Sequence, residues 1–208
     1  MRTQRNLYRD PVDCRANGLF KRTIDVTGSL LLLLVFLPVM AVCAAGVKLT
    51  SPGPVIFRQE RVGQGKKRFF MYKFRSMYIN QEQDTAWSTD SDARRTHFGA
   101  WMRKLSLDEL PQLLNVLKGD MSLVGPRPEI PYYVERFKAC VPQYMVKHQV
   151  RPGMTGWAQV NGLRGDTSIK MRVEYDIYYI EHWSLLFDLK ILLMTMFRGK
   201  FINSEALY

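Results

Sequence analysis

The chain is poor in cysteine and in acid, and it has only one long apolar run. Its three cysteines, Cys14, Cys43 and Cys140, are scattered over 208 residues. An odd, dispersed count without a CxxC pair argues against a disulfide framework and a cysteine zinc site, and fits a reducing, cytosolic setting. Acidic residues number 19 against 30 basic ones, a formal net charge of +11. That imbalance asks for an anionic partner: nucleic acid, acidic lipid headgroups or a phosphorylated substrate. Repeats and low-complexity tracts are absent. With 47% hydrophobic residues, the chain reads as one domain with its own core and not as a disordered tail.

The apolar run is Val26 to Val47, 22 residues without a charge. About 20 helical residues cross a hydrocarbon core, so a single spanning helix is the simplest reading. Two features compete with it. Pro38 stands mid-run, where it removes a backbone hydrogen bond and kinks a helix. Both flanks are basic, with Arg15, Lys21 and Arg22 before the run and Lys48, Arg58 and Arg61 after it. The positive-inside tendency wants both flanks on the cytosolic side. A helix that enters and leaves by the same face, broken at Pro38, satisfies both. A signal peptide fits poorly, because the run starts 25 residues in and is longer than a usual signal core.

Beyond Ser51-Pro52-Gly53-Pro54 the pattern predicts a β-hairpin within 51–76, with strands near 55–58 and 68–74 and a turn at Gly63-Gln64-Gly65-Lys66. Residues 77–92 read as a polar loop. Helices are expected over 92–104, 106–117 (closed by Gly119), 130–147 and 167–182. Gly125-Pro126-Arg127-Pro128 must be extended and rigid, and 151–157 reads as loop. Trp183 to Phe197 is too apolar for the surface of a soluble domain. It reads as an interfacial helix or as a buried one.

The chemistry concentrates in Arg103-Lys104-Leu105-Ser106-Leu107-Asp108-Glu109-Leu110-Pro111-Gln112. Two adjacent carboxylates stand at a predicted helix start. One structural explanation is a capping box, with Ser106 as cap and Glu109 reaching back. Alternatively Asp108 itself caps, and Pro111 falls in the first turn. Either way the helix's positive end is expected to keep Asp108 ionised. An ionised aspartate can attack phosphorus, and an adjacent glutamate can hold Mg²⁺ against phosphate oxygens. Cations in constrained positions surround this pair in sequence: Lys73 and Arg75 leaving a strand, Arg127 between prolines, Arg151 before Pro152, and Arg164 in a glycine-rich loop. Arginine suits bidentate phosphate recognition. A nucleic-acid-binding module could use the same charges, but the apolar run serves it poorly, and only 66–75 offers bases interleaved with aromatics.

Several long stretches carry a resemblance: KRTIDV before the apolar run, SPGPVIFRQERVG, YKFRSM, RKLSLDELPQLLNVLKGDMSLVGPRPE, RPGMTGWAQVNG and EYDIYYIEHWSLLFDLKIL. In this order, over about residues 20–197, they resemble the bacterial sugar transferases, the monotopic phosphoglycosyl transferases. The resemblance implies an α+β, mainly helical cytosolic domain with a small β-hairpin, a re-entrant membrane helix and interfacial amphipathic helices. The corresponding division is a basic segment 1–20, a membrane helix 21–49 and a catalytic domain 50–208. The implied reaction moves hexose 1-phosphate from a UDP-sugar, UDP-glucose or UDP-galactose favoured, to undecaprenyl phosphate. UMP leaves, and the reaction initiates exopolysaccharide, capsule or O-antigen synthesis at the cytosolic face of the inner membrane. The implied mechanism passes through a phosphosugar on Asp108, with Mg²⁺ near Glu109. Lys73, Arg103, Arg127, Arg164 and Asp176 match positions lining the active site. Membrane lipids are expected partners, nucleic acid is not, and homodimerisation is left open. Two departures stand out: Leu37-Pro38 replaces a common Ser-Pro, and about 20 residues precede a region that follows several spanning helices in larger members. The chain therefore resembles a minimal form or an excised catalytic domain. A non-catalytic membrane scaffold of the same fold is the competing class, and it has no need of Asp108 beside Glu109.

Overall fold

In the computed structural model the described residues are 18–78, 94–165 and 167–202. Cys14 and nearly all of the expected loop 77–92 lie outside them. The first element, α1, runs from Leu19 to Thr50. It stops where Pro52 forces the preceding Ser51 into an extended conformation (φ −156°, ψ 142°). The helix continues through Pro38, so the expected break is not an interruption of the helix. It is the one described helix long and apolar enough to cross a membrane.

One face of α1 is fastened to the body at both ends. Near its start, Lys21 donates to Asp188 Oδ2 at 2.6 Å, and Asp25 Oδ1 accepts from the Ser122 hydroxyl (2.9 Å) and the Leu123 amide (3.0 Å). Near its end, Cys43 and Val47 are buried with Phe74 and Met102. At about 1.5–3 kcal/mol for each large side chain buried, this contact holds the end of the helix firmly. The outer face is different: Leu31, Leu34, Val35, Leu37 and Val42 are all exposed.

The hairpin forms as expected. Strands β1 (Ile56–Val62) and β2 (Arg68–Phe74) pair antiparallel, with Phe57 opposite Lys73 and Arg58 opposite Tyr72. Helix α2 (His97–Lys104) is capped by Thr96, whose hydroxyl accepts from the Gly99 amide. Helix α3 (Gln112–Lys118) ends at Gly119 in the left-handed region (φ 93°). Asn115, fully buried, acts as an extra strand for β2: its side chain accepts from the Tyr72 amide at 3.0 Å and donates to the Phe70 carbonyl at 2.8 Å. This contact satisfies two backbone groups on the free edge of the hairpin and fixes α3 against it.

Two three-residue strands, β3 (Ser122–Val124) and β4 (Gly153–Thr155), pair in parallel. The second falls where a loop was expected. At this crossing a side chain on Gly153 would meet the Gly125 backbone nitrogen at 2.1 Å, so only glycine allows the approach. Helix α4 (Pro131–Cys140) is shorter than expected, because Pro142 interrupts the run and a 3-10 segment, Tyr144–Gln149, follows. A short α5 (Trp157–Val160), α6 (Ile169–Glu181) and α7 (Leu185–Ile202) complete the described residues. The main core gathers Met71, Leu113, Val116, Val124, Tyr179 and Ile191.

Candidate active site

Asp108 and Glu109 lie in a single 3-10 turn, Leu107–Glu109, and α3 begins only at Gln112. Neither capping arrangement forms. Ser106 adopts a left-handed conformation (φ 56°) and its side chain caps nothing. Leu107 and Leu110, which flank the carboxylates, pack on the cluster of Cys43, Val47, Phe74 and Met102. The acidic turn is thereby pinned between α1 and the hairpin.

Glu109 does not reach back along its own helix. Its Oε1 accepts from Lys73 Nζ at 2.7 Å and from Arg127 Nη2 at 2.9 Å. Lys73 comes from β2, on the same side of the strand as buried Met71. Arg127 comes from the rigid Pro126-Arg127-Pro128 segment, which is anchored where Gly153 donates to the Pro126 carbonyl at 2.9 Å. Burial pushes the Glu109 carboxyl up, but the charges and hydrogen bonds of Arg127 and Lys73 more than reverse this. It stands well below the usual carboxylate range. Glu109 in turn pushes the Arg127 guanidinium up, while burial pushes the Lys73 ammonium down.

Asp108 is buried, 7% exposed. Burial pushes its carboxyl up, and the neighbouring Glu109 charge adds to this; Lys73, Arg103 and Arg127 oppose it without cancelling it. Asp108 is not at the start of α3: its 3-10 turn precedes that helix, so burial and the neighbouring charges, not a helix end, set its carboxyl.

Arg103 and Arg164 are brought to the pair. Arg103 acts on the Asp108 charge. Burial lowers Arg164, as does the nearby Arg127 charge, while Glu109 opposes. Arg75 is not brought there. It lies beyond the last residue of β2, where strand alternation no longer applies, and its buried guanidinium donates to the Ser51 carbonyl at 2.7 Å. Arg151 is also elsewhere, donating to the Gly119 carbonyl. Asp176 is 2% exposed on the buried face of α6, paired with Lys147 at 3.2 Å.

Two residues outside the expected set support the site. Glu129, two positions after Arg127, is buried and holds both Arg61 (3.6 Å) and Arg172 (3.2 Å). The acid directly after Pro-Arg-Pro was the sequence signal for it. Nothing in the sequence marked Arg172.

Among the described residues no group of three or more Asp, Glu, His or Cys side chains converges. Among the described residues, Asp108 and Glu109 are the adjacent carboxylates that a magnesium ion could use. Mg²⁺ commonly takes one or two carboxylates and completes its shell with water and substrate phosphates. The donors present fit a metal shared with a diphosphate, and do not form a closed protein cage. An open apolar depression of about 490 Å³ on α7, lined by Leu186, Leu189, Lys190, Leu193, Met194 and Phe197, includes none of these groups.

Fold and site define an α+β protein with one apolar membrane-length helix and a carboxylate pair enclosed by cations, an arrangement able to hold a phosphorylated ligand. The chain belongs to the bacterial sugar transferase family, whose sequence pattern matches residues 16–200. Over 205 residues it is 45% identical to a UDP-glucose:undecaprenyl-phosphate glucose-1-phosphate transferase of Escherichia coli, covering 96% of this chain and 44% of that relative. It is 48% identical over 182 residues to a UDP-N-acetylgalactosamine-undecaprenyl-phosphate N-acetylgalactosaminephosphotransferase of Aeromonas hydrophila, covering 86% of this chain and 43% of the relative. An exopolysaccharide production protein of Rhizobium leguminosarum is 41% identical over 86% of this chain and 94% of its own length. The chain thus spans less than half the length of the first two relatives and nearly all of the third.

Proposed function

We propose that the chain is a phosphoglycosyl transferase that moves hexose 1-phosphate from a UDP-sugar to undecaprenyl phosphate and releases UMP. The observation that carries this is a buried carboxylate, Asp108, beside a second carboxylate that gathers Lys73 and Arg127 on one oxygen. A diphosphate entering here meets cations already in place, and its phosphorus comes within reach of Asp108. The carboxylate attacks the phosphorus bonded to the sugar, the bond to UMP breaks, and UMP leaves with the electron pair. A phosphate oxygen of the polyprenol phosphate then attacks the same phosphorus and restores the carboxylate. Arg127 and Arg164 offset the charge that develops on the departing UMP. Mg²⁺, held by Glu109 and Asp108 when bound, supplies Lewis-acid neutralisation of the diphosphate.

UDP-glucose and UDP-galactose are the favoured donors. The E. coli relative's name specifies glucose; the Aeromonas relative's name, N-acetylgalactosamine, keeps the sugar a matter for experiment.

The reaction takes place at the cytosolic face of the inner membrane. Both ends of α1 are fastened to the same body. A bilayer core about 30 Å thick cannot separate two ends that share one polar domain. This supports the reading that α1 enters and leaves by one face, with Pro38 removing a helical hydrogen bond midway along it. Its exposed apolar side and that of α7 (Leu186, Leu189, Met196, Phe197) face lipid. The products feed exopolysaccharide, capsule or O-antigen assembly.

The deciding measurement is UMP release from a panel of UDP-sugars with undecaprenyl phosphate, using the chain in detergent or nanodiscs. Lipid-dependent UMP formation with transfer of the sugar phosphate to lipid supports the reading; absence with every donor sinks it.

A further inference from the structure

We propose that Arg172 and Glu129 are positioning residues that clip the Arg164 loop onto the Arg127 segment, so that the two arginines address the sugar nucleotide as a pair. This rests on the transferase reading above.

The loop that carries Arg164 has little else to fix its downstream half. Gly162 and Gly165 both have positive φ (83° and 57°), and nothing lies within 4 Å of where a side chain on either would stand. None of the residues 161–165 is buried. The upstream half is tied to α5 through Leu163, whose amide donates to the Ala158 carbonyl at 3.0 Å. After Arg164, the hold among the described residues comes from one guanidinium. Arg172 Nη2 donates to the Gly165 carbonyl at 2.6 Å and to the Thr167 hydroxyl at 3.2 Å. Its Nη1 donates to Glu129 Oε1 at 3.2 Å.

Glu129 is fixed in turn. Its carbonyl accepts from the Val62 amide of β1 at 3.0 Å, and Arg61, which pairs with its carboxylate, also donates to the Pro128 carbonyl at 3.1 Å. Arg172 and Glu129 are 5% and 7% exposed. A buried ion pair is a poor device for stability alone, since apolar residues of like volume often do as well. What it supplies here is geometry. One planar guanidinium joins two separate backbone segments, each carrying one active-site arginine. Arg164 Nε also donates to the Gln159 carbonyl at 3.3 Å, so the upstream side of the loop is held by α5 and the downstream side by the clip.

The test is a double-mutant cycle read in kcat and KM for the UDP-sugar, with thermal melting of every variant. Arg164→Ala and Arg172→Met should each lower kcat/KM about tenfold to a hundredfold, as small misplacements of binding groups do. The change should appear mainly in KM for the sugar nucleotide, and Arg172→Lys should recover part of it. If Arg172 acts through Arg164, adding Arg164→Ala to the Arg172→Met chain has little further effect. Multiplying effects, or wild-type kcat/KM in a well-folded Arg172→Met, overturn the proposal. Should Arg172→Met not fold, the near-isosteric Glu129→Gln serves in the same cycle with the same outcomes. A wild-type chain that releases no UMP from any donor sinks the transferase reading together with this inference. Wild-type turnover with multiplying variants sinks this inference alone.

Discussion

Lys73 and Glu109 meet at 2.7 Å across the gap between the hairpin and the acidic turn, and Arg127 shares the same carboxylate oxygen. Without a ligand, Glu109 thus serves as the anion that these two cations hold. A diphosphate can replace it as their partner and leave Glu109 available to metal. Turnover should therefore depend on Mg²⁺ and stop in excess chelator. Glu109→Gln should reduce kcat about a hundredfold, the scale for losing one electrostatic stabiliser, and weaken the dependence on Mg²⁺. Because Glu109 is held below the usual carboxylate range, its contribution to stability is present above the unfolded pKa. It fades as pH falls through the lower folded pKa. Wild-type rates for Glu109→Gln at limiting Mg²⁺ would reduce Glu109 to a structural counter-ion.

Asp108 titrates in the opposite sense. Burial raises its carboxyl above the ordinary value, so the native state holds the proton more tightly than the unfolded chain does. Stability falls as pH rises from the ordinary aspartate value to the raised one, and stays lower above it. Asp108→Asn removes that loss. The variant should melt no lower than wild type, and higher at neutral pH, with the curves converging in acid. A clear drop in melting temperature at neutral pH would show that the ionised carboxylate stabilises the fold.

The hairpin, the Gly119 helix stop and α6 were legible because local chemistry dictates them: alternation, a left-handed glycine and a helical run. The β3–β4 pair was not, since three residues on each side, among prolines and glycines, carry no periodicity. Lys73, Glu109 and Arg127 were legible as a set of opposite charges, two of them on constrained backbone. Their sharing of one oxygen was not, because it depends on Asn115 docking α3 onto β2. That Arg75 turns to the Ser51 carbonyl and Asp176 to Lys147 was not legible, because a charge beside a strand end and a matching position do not tell which way a side chain faces. The capping readings failed on Ser106, whose left-handed backbone leaves no helix start to cap.

The start of α1 depends on a buried cation. Lys21 stands 2.6 Å from Asp188 and 3.8 Å from Asp25, and Asp188 also accepts from Tyr179 and Trp183. Lys21→Met leaves two carboxylates without their cation, at about 3–5 kcal/mol. For a chain of this size that is a drop in melting temperature of about 10 °C. Combining it with Asp188→Asn should recover part of the loss. An unchanged melting temperature in Lys21→Met would mean that α1 is held by packing alone.

The topology of α1 gives a fourth expectation. With both ends on one body, tags at either terminus should be reachable from the cytosolic side only. Pro38→Ala restores the missing helix hydrogen bond and should move a fraction of molecules to an orientation with the first residues outside. An externally accessible N-terminus in the wild-type chain would replace the re-entrant arrangement with a plain span.

The covalent step is the sharpest expectation. Asp108 sits in a turn pinned by Leu107 and Leu110, beside cations that can hold a diphosphate and offset the charge on departing UMP. Burial pushes its carboxyl up and only the ionised form attacks, so kcat/KM should climb on the acid side with a midpoint above the ordinary aspartate value. If the carboxylate bonds to phosphorus, UMP forms before any lipid acceptor binds, and the kinetics are double-displacement. Intact-protein mass spectrometry after mixing with UDP-sugar alone should then show one sugar phosphate added. Peptide mapping should place it on Asp108, and undecaprenyl phosphate should discharge it. Asp108→Asn should form no adduct and lose nearly all turnover while still binding UDP-sugar, because an amide keeps the shape of the site but is a poor nucleophile. A wild-type chain without an adduct, whose initial rates demand a ternary complex, would mean direct transfer between the two substrates, with Asp108 acting on the metal or as a base.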